Sequence, residues 1–286
     1  MKHLVMDCAL GRDSYFSIMT AFQNERVVIE AILVTDPKID RTVHGMLHLL
    51  GHLAADIPVC RGCRLPLGVD PETAPEEPMK GQWPEERPSP IPAEEMLHRL
   101  AEKYPGELTI LCCSPLTTVA SFLQKYPQDA AALEQVVVVA NREENREQMG
   151  FFFEPPVDPM AKDILLKSGV RTLVIPMEAM QETEEAKKLI KAVSLGTDTM
   201  IGRFLRHSTV SRKADQAILS AAAGILAAAY PEAVTCQPLP GDNEQAWQAA
   251  GLDFGVCLGK NFGFLDIPAF LAYYQQHEGE HHHEHH

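Results

Sequence analysis

The chain has 286 residues, 45% of them apolar, with 25 Lys+Arg against 39 Asp+Glu and a formal charge of −14. That length allows one large α/β domain or two small ones around a sizeable core. So negative a surface repels phosphate backbones and excludes nucleic acid as an expected partner. No apolar run reaches the roughly 18 residues of a membrane helix, and the N-terminus meets Asp7 too early for a signal peptide. A cytoplasmic protein with no membrane partner is the expectation.

Taken in order, short apolar runs alternate with helical periodicity. A strand over Leu4–Asp7 leads through a glycine turn to a helix over Asp13–Gln23, and a strand over Val28–Val34 leads to a helix over Asp40–Leu53. In that second helix Met46, Leu47, Leu49, Leu50 and Leu53 make the core stripe. His44, His48 and His52 recur every four residues and line a face beside it, a spacing at which two imidazoles can chelate a transition metal. A partly exposed row of histidines is the expected arrangement. Cys60-Arg61-Gly62-Cys63 has redox or half-zinc-site spacing, yet no second cysteine pair follows and the glycine fits a loop after a strand.

From Gly68 to Pro92 seven prolines, scattered glutamates and Trp83 break the alternation. This stretch is expected to form no regular element and to be either a disordered excursion or a lid. Beyond it the pattern resumes with a helix over Ala93–Lys103, a strand over Leu108–Cys112, a helix over Leu116–Lys125 and a strand over Val136–Val139. Cys112 and Cys113, adjacent in an apolar run and two of an odd total of seven cysteines, read as reduced, buried thiols. Asp158-Pro159 is a helix start, because the carboxylate can accept orphan N–H groups and proline is preset for the first helical position. The helix runs over Pro159–Lys167, followed by a strand over Thr172–Ile175 and helices over Glu182–Val193, Ala214–Ala229 and Ile267–Gln275.

The alternation implies a single α/β domain over residues 1–276, with a mostly parallel central sheet flanked by helices and 68–92 as a proline-rich loop or lid. A His/Glu-rich tail, 277–286, is expected to be flexible. Its His281, His282, His283, His285 and His286 could take nickel or zinc.

Leu4-Val5-Met6-Asp7-Cys8-Ala9-Leu10-Gly11-Arg12-Asp13-Ser14 is a strand, a glycine turn and a helix start with two acids, placed where parallel sheets bind ligands. It resembles the opening D-T-D-P-G-[IT]-D-D-A of the inosine–uridine-preferring nucleoside hydrolase family. Further segments agree in order. Ile57-Pro58-Val59-Cys60-Arg61-Gly62 is similar to I-P-V-x-x-G, and Gly106-Glu107-Leu108-Thr109-Ile110 with Ser114-Pro115-Leu116-Thr117-Thr118 is similar to G-E-[IV]-T-L and G-P-L-T-N. Val157-Asp158-Pro159-Met160-Ala161 with Ser168-Gly169-Val170 matches V-D-P-E-A-A and E-S-G-V, and Leu265-Asp266-Ile267-Pro268-Ala269-Phe270-Leu271 resembles V-D-x-x-x-F-L.

The resemblance implies a nucleoside-hydrolase-like fold, often a homodimer or homotetramer, that cleaves N-glycosidic bonds. In the family, calcium held by aspartates positions the attacking water and the ribose hydroxyls. Carried over by position, Asp7 and Asp13 keep two acids of the opening motif, while Ala9 and Ser14 stand where metal-binding aspartates belong. A third metal aspartate, in an H-D-P-x-A helix start, falls on Ala221 after Ser220; Thr117, whose counterpart offers a backbone carbonyl, remains. Asp36 stands at a family asparagine, Phe152-Phe153-Glu154 at the segment E-F-N, and Lys80 near a mobile-loop histidine.

The metal remnant is therefore Asp7 and Thr117. Asp7, Asp13, Asp36, Glu154 and Phe152 are the candidate ligand contacts, with Asp13 and Glu154 as the candidate catalytic acids. Calcium is the cofactor the resemblance implies, at a site that is degenerate here, beside the nickel or zinc that the tail could take. The expectation is a ribosyl-ligand binder whose calcium-dependent hydrolysis is lost or severely altered. Two alternatives stand beside it: an active hydrolase of N-ribosyl compounds using a rearranged metal or acid site, and a metal-handling protein acting through its tail.

Overall fold

In the computed structural model, residues 1–9, 12–74, 87–140, 158–176, 223–239 and 244–253 are described, apart from the side chains at 12, 13, 15, 16, 23, 52 and 140. The elements in chain order are β1 (Lys2–Cys8), α1 (Arg12–Gln23), β2 (Val27–Val34), α2 (Ile39–His52), β3 (Val59–Arg61), α3 (Ala93–Lys103) and β4 (Leu108–Cys113). They continue with α4 (Thr117–Lys125), β5 (Leu133–Ala140), α5 (Pro159–Lys167), β6 (Thr172–Pro176), α6 (223–229), β7 (Val234–Pro238) and β8 (Ala246–Leu252).

The eight strands form one sheet in the order β3-β2-β1-β4-β5-β6-β8-β7. Every neighbouring pair is parallel except β7 with β8. The central strands are those whose sequences offer no polar face. All of β4 is buried, and Val136, Val137, Val138 and Val139 of β5 are buried too, as expected of strands covered on both sides.

Alternation along β1 divides its side chains between two cores. Leu4, Met6 and Cys8 join Ile18, Val43, Met46 and the α6 residues Ile225 and Leu226 on one face. Val5 joins Leu33, Cys112, Leu97, Phe122 and Leu165 on the other, under α3, α4 and α5. Asp7 falls in register with Leu33 and Cys112, so this acid belongs to the second face. α6 lies close against the sheet: a Cβ on Gly224 would stand 2.5 Å from Leu111 Cδ1 and 2.8 Å from Val139 Cγ2.

The predicted strands are all present and mostly a residue or more longer than predicted, and α3 and α5 have the predicted bounds. Three strands went unpredicted. β3 has three residues, and β7 is largely exposed, with no apolar alternation to reveal it. β8, Ala246-Trp247-Gln248-Ala249-Ala250-Gly251-Leu252, is poor in β-branched residues.

Of the stretch Gly68–Pro92, residues 68–74 and 87–92 are described. Asp70 Oδ1 accepts from Glu72 N (2.9 Å) and Pro71 opens a 3₁₀ turn over Pro71–Thr73. At the other end Ser89 N donates to Val59 O (2.8 Å), which ties the returning chain to β3. Of the predicted helix Ala214–Ala229, 223–229 is helical. The rest of it, Trp83, the helices Glu182–Val193 and Ile267–Gln275, and the tail lie outside the described residues. Among the described residues, no helix is long and apolar enough to cross a membrane.

Candidate functional site

β1 lies where the strand order reverses, with β2 and β3 on one side and β4 to β6 on the other. Connections leaving neighbouring strands at such a point diverge and open a crevice at the carboxyl ends of the strands. The last residues of β1 stand in that position: Cys8 is in register with Val34 of β2 and Cys113 of β4.

Asp7, one residue earlier, is fully buried. Thr35 Oγ1 donates to Asp7 Oδ1 at 2.7 Å. The Thr35 hydroxyl also bonds the Thr118 hydroxyl, and Cys63 N donates to Thr118 Oγ1 at 2.8 Å. A threonine hydroxyl has a single proton. Thr35 gives its proton to Asp7, so Thr118 is the donor to Thr35 and the acceptor from Cys63. The chain of donors thus runs one way, from a backbone N–H through two hydroxyls to a carboxylate.

Gly62 permits this approach. A Cβ there would lie 2.4 Å from Thr118 Oγ1 and 2.8 Å from Val34 O.

The other oxygen of Asp7, Oδ2, is buried with no hydrogen-bond partner, and so is Ser14 Oγ. Burial dominates the acid and pushes its pKa from 3.8 up to about 7; the neighbouring hydroxyls of Thr35 and Ser114 counter it, and the charge of Glu94 adds to the rise.

A second buried acid is fully engaged. Asp158 Oδ1 caps α5 by accepting from Ala161 N (2.9 Å), while Oδ2 accepts from Leu67 N and from Thr117 Oγ1, both at 2.8 Å. One carboxylate thereby joins the start of α5, the start of α4 and the loop after β3. The sequence shows its capping role; the ties to Leu67 and Thr117 are additional.

The remaining expected site residues are placed as follows. Asp36 is buried at the end of β2, and its Oδ1 accepts from Lys38 N (2.7 Å) and its Oδ2 from Thr42 Oγ1 (2.9 Å), which fixes the start of α2. Thr117 opens α4. Asp13 lies in the first turn of α1, its side chain outside the described set. Glu154, Phe152, Lys80, Ser220, Ala221 and the tail histidines His281, His282, His283, His285 and His286 also lie outside it.

Cys60 and Cys63 are free thiols. Burial pushes both thiols up to about 11, and Cys63 Sγ rests 3.8 Å from Glu94 Oε1, which also accepts from Ser121 Oγ (2.9 Å). Sequence reading did not single out Thr35, Thr118 or Glu94. The one signal for Thr118 was its place beside Thr117 in the Ser114–Thr118 motif.

Calcium asks for six to eight oxygens, several of them anionic. Among the described residues, this corner offers one unpartnered carboxylate oxygen and one unpartnered hydroxyl, with Ala9 contributing none. No group of three or more His, Cys, Asp or Glu side chains stands together as a metal cage among the described residues. Two buried, unpartnered side-chain oxygens are fewer than calcium asks for.

An open, mostly parallel sheet with a buried acid at its switch point defines the class: an α/β protein organised around a crevice at the strand ends. The description of inosine-uridine preferring nucleoside hydrolases matches residues 4–251, and the chain belongs to that family. Among curated relatives it is 23% identical over 223 residues to a pyrimidine-specific ribonucleoside hydrolase RihA of Photobacterium profundum, covering 71% of this chain and 72% of the relative. It is 28% identical over 191 residues to uridine nucleosidase 1 of Arabidopsis thaliana, covering 61% of this chain and 56% of that one. Among solved structures, a plant nucleoside hydrolase superposes with a TM-score of 0.70 at 19% identity, covering 93% of this chain and 99% of that one. A purine-preferring ribonucleoside hydrolase from Gardnerella vaginalis gives 0.69 at 18% identity, covering 92% and 98%.

Proposed function

We propose that this chain binds a nucleoside or another ribosyl compound at the carboxyl ends of β1, β2 and β4, and that calcium-dependent cleavage of the N-glycosidic bond is lost or severely altered. The observation that supports this reading is the donor set at the end of β1: a lone unpartnered carboxylate oxygen and a hydroxyl, with alanine and serine at two positions where the family resemblance calls for aspartate. A hard dication loses affinity with each anionic ligand removed. A sugar, by contrast, needs neutral and singly charged hydrogen-bond partners, which such a crevice can keep. The two curated relatives named above, a ribonucleoside hydrolase and a uridine nucleosidase, support a nucleoside-sized ligand. Asp13, Glu154 and Phe152 are the candidates for direct contact, while Asp36 acts at one remove by holding the start of α2.

A ligand that binds the folded state raises its melting temperature. The test is therefore a thermal-shift panel of uridine, inosine, cytidine and ribose, with inosine and uridine hydrolysis assayed in parallel in calcium. The reading predicts a shift with at least one of these compounds and no calcium-stimulated hydrolysis. Turnover at enzyme-like rates in calcium contradicts it, and so does a flat panel.

A second reading is favoured by one observation. Asp7, with its pKa near 7, is in the range where a carboxyl group can exchange protons at neutral pH, so hydrolysis of an N-ribosyl compound by an acid without calcium is the alternative. Turnover that persists in EDTA and is abolished by Asp7→Asn selects this alternative over the first.

A further inference from the structure

The far edge of the sheet offers a surface that the crevice does not use. β7 is the last strand in the sheet order, five strands from β1, which is about 24 Å at the usual strand spacing. Thr235, Cys236, Gln237 and Pro238 are exposed and Val234 is half-buried.

Two hydrogen bonds fix which backbone groups of β7 point outward. Leu239 N donates to Ala246 O and Asp253 N donates to Ala233 O, both at 3.0 Å. Ala233 and Leu239 therefore turn toward β8. In an antiparallel pair successive residues alternate between the partner strand and the opposite side. The extra residue at the register shift, Ala250, lies on β8, so the alternation along β7 is unbroken. Val234, Cys236 and Pro238 thus direct their main-chain groups away from β8. Pro238 is tolerated at this position because the N–H it lacks would face outward.

An edge with outward N–H and C=O groups accepts another extended strand. The pattern in β7 is self-complementary about Cys236. When an antiparallel copy of β7 is centred there, each Cys236 N–H donates to Cys236 C=O of the second copy, and each Val234 N–H to Pro238 C=O. The Val234 C=O at either end is left to water. The side chains also match: Val234 stands opposite Pro238, Thr235 opposite Gln237, and Cys236 opposite itself on the axis. The strand carries no charge, so no like charges meet across the axis, and the lysines that guard many natural edges are absent from it.

We propose that β7 is a homodimer interface, at which a second copy of this chain adds its own β7 across a two-fold axis at Cys236 and joins two eight-stranded sheets into one. The pairing is separate from the ribosyl crevice and does not depend on how that crevice works. A hydrogen-bonded antiparallel pair sets its Cα atoms about 5.5 Å apart, within the reach of a disulfide. Cys236 is exposed, whereas Cys8, Cys60, Cys112 and Cys113 are buried, so the thiol on the axis reports the contact.

The test is sedimentation equilibrium of the full chain up to about 100 µM in about 0.15 M salt, where repulsion between copies is screened beyond about 8 Å. A dimer is the expected species. Diamide, which takes up the two thiol hydrogens as the disulfide forms, should convert it to a covalent dimer on a non-reducing gel. Cys236→Ser should remain a dimer and lose the covalent form. Cys236→Lys sets two ammonium groups opposite each other and should weaken dimerisation about fivefold or more. Cys236 is exposed, so both variants keep the fold, which circular dichroism checks. A monomer at every concentration overturns the proposal. So does a dimer that Cys236→Lys leaves equally tight, or a covalent dimer that forms equally well in Cys236→Ser.

Discussion

Two buried aspartates at the carboxyl end of this sheet are treated in opposite ways. Asp158 is 4% exposed and accepts three hydrogen bonds from three segments of the chain, with both oxygens engaged. Asp7 is 0% exposed and accepts one hydrogen bond from Thr35, while its second oxygen has no partner. A protein that needs a buried acid only for structure surrounds it with donors, as at Asp158. An acid left half-satisfied is costly to the fold, and such acids concentrate where function requires them. In this chain the half-satisfied acid is the one at the switch point of the sheet.

The sharpest way to break the comparison is to remove the satisfied acid. Asp158→Ala leaves Ala161 N, Leu67 N and the Thr117 hydroxyl without their acceptor, and should destabilise the fold by about 3–5 kcal/mol in urea titration. Asp158→Asn, which keeps an acceptor oxygen, should lose less.

At Asp7 the expected sign reverses. Its folded pKa is raised from 3.8 to about 7, so the folded protein binds this proton more tightly than the unfolded chain does. Stability from this group is therefore greatest in acid, falls as pH rises from about 4 to about 7, and is level above that. Asp7→Asn should flatten that slope and raise stability at pH 8 by about 2 kcal/mol in thermal or urea melts. A variant less stable than the parent at pH 8 would place Asp7 with Asp158 as an ordinary structural acid.

Thr118→Val tests the donor chain itself. It removes the proton given to Thr35 and the acceptor for Cys63 N, and should cost about 1–2 kcal/mol. Since the hydrogen bond from Thr35 favours the ionised acid, weakening the chain should also move the Asp7 transition toward higher pH. A purely steric role for Thr118 would lower stability equally at all pH values.

The smallest effect belongs to a half-buried histidine of α3 paired with a buried aspartate. His98 Nδ1 bonds Asp129 Oδ2 at 2.7 Å and its ring stacks on Tyr126, and that hydrogen bond raises its pKa above the ordinary 6.5. Its contribution is present below that value and fades as pH climbs through the raised one. His98→Gln should shift the melting temperature by about a degree or two at pH 6 and by less at pH 9.

Much of the frame was legible because local chemistry marks it. Pro92 and Asp158-Pro159 set the starts of α3 and α5, and unbroken valine announces β5. β7 and β8 were hidden because exposed Thr, Cys and Gln, and an alanine-rich stretch, carry no strand signal. At the site, Asp7 could be picked out from its motif, but what holds it could not. Thr35 is 28 residues from Asp7 and Thr118 a further 83 from Thr35, and only the parallel pairing of β2, β1 and β4 gathers them. For the same reason the capping role of Asp158 was legible and its bond to Leu67, 91 residues away, was not.

The most direct measurement is calorimetric titration of the metal-stripped chain with Ca²⁺ at pH 7.5. Heat no greater than that of weak surface association, with no saturable one-to-one step, is the predicted result. One ion per chain taken up tightly, and lost on Asp7→Asn, would contradict the view that this corner no longer cages a divalent cation.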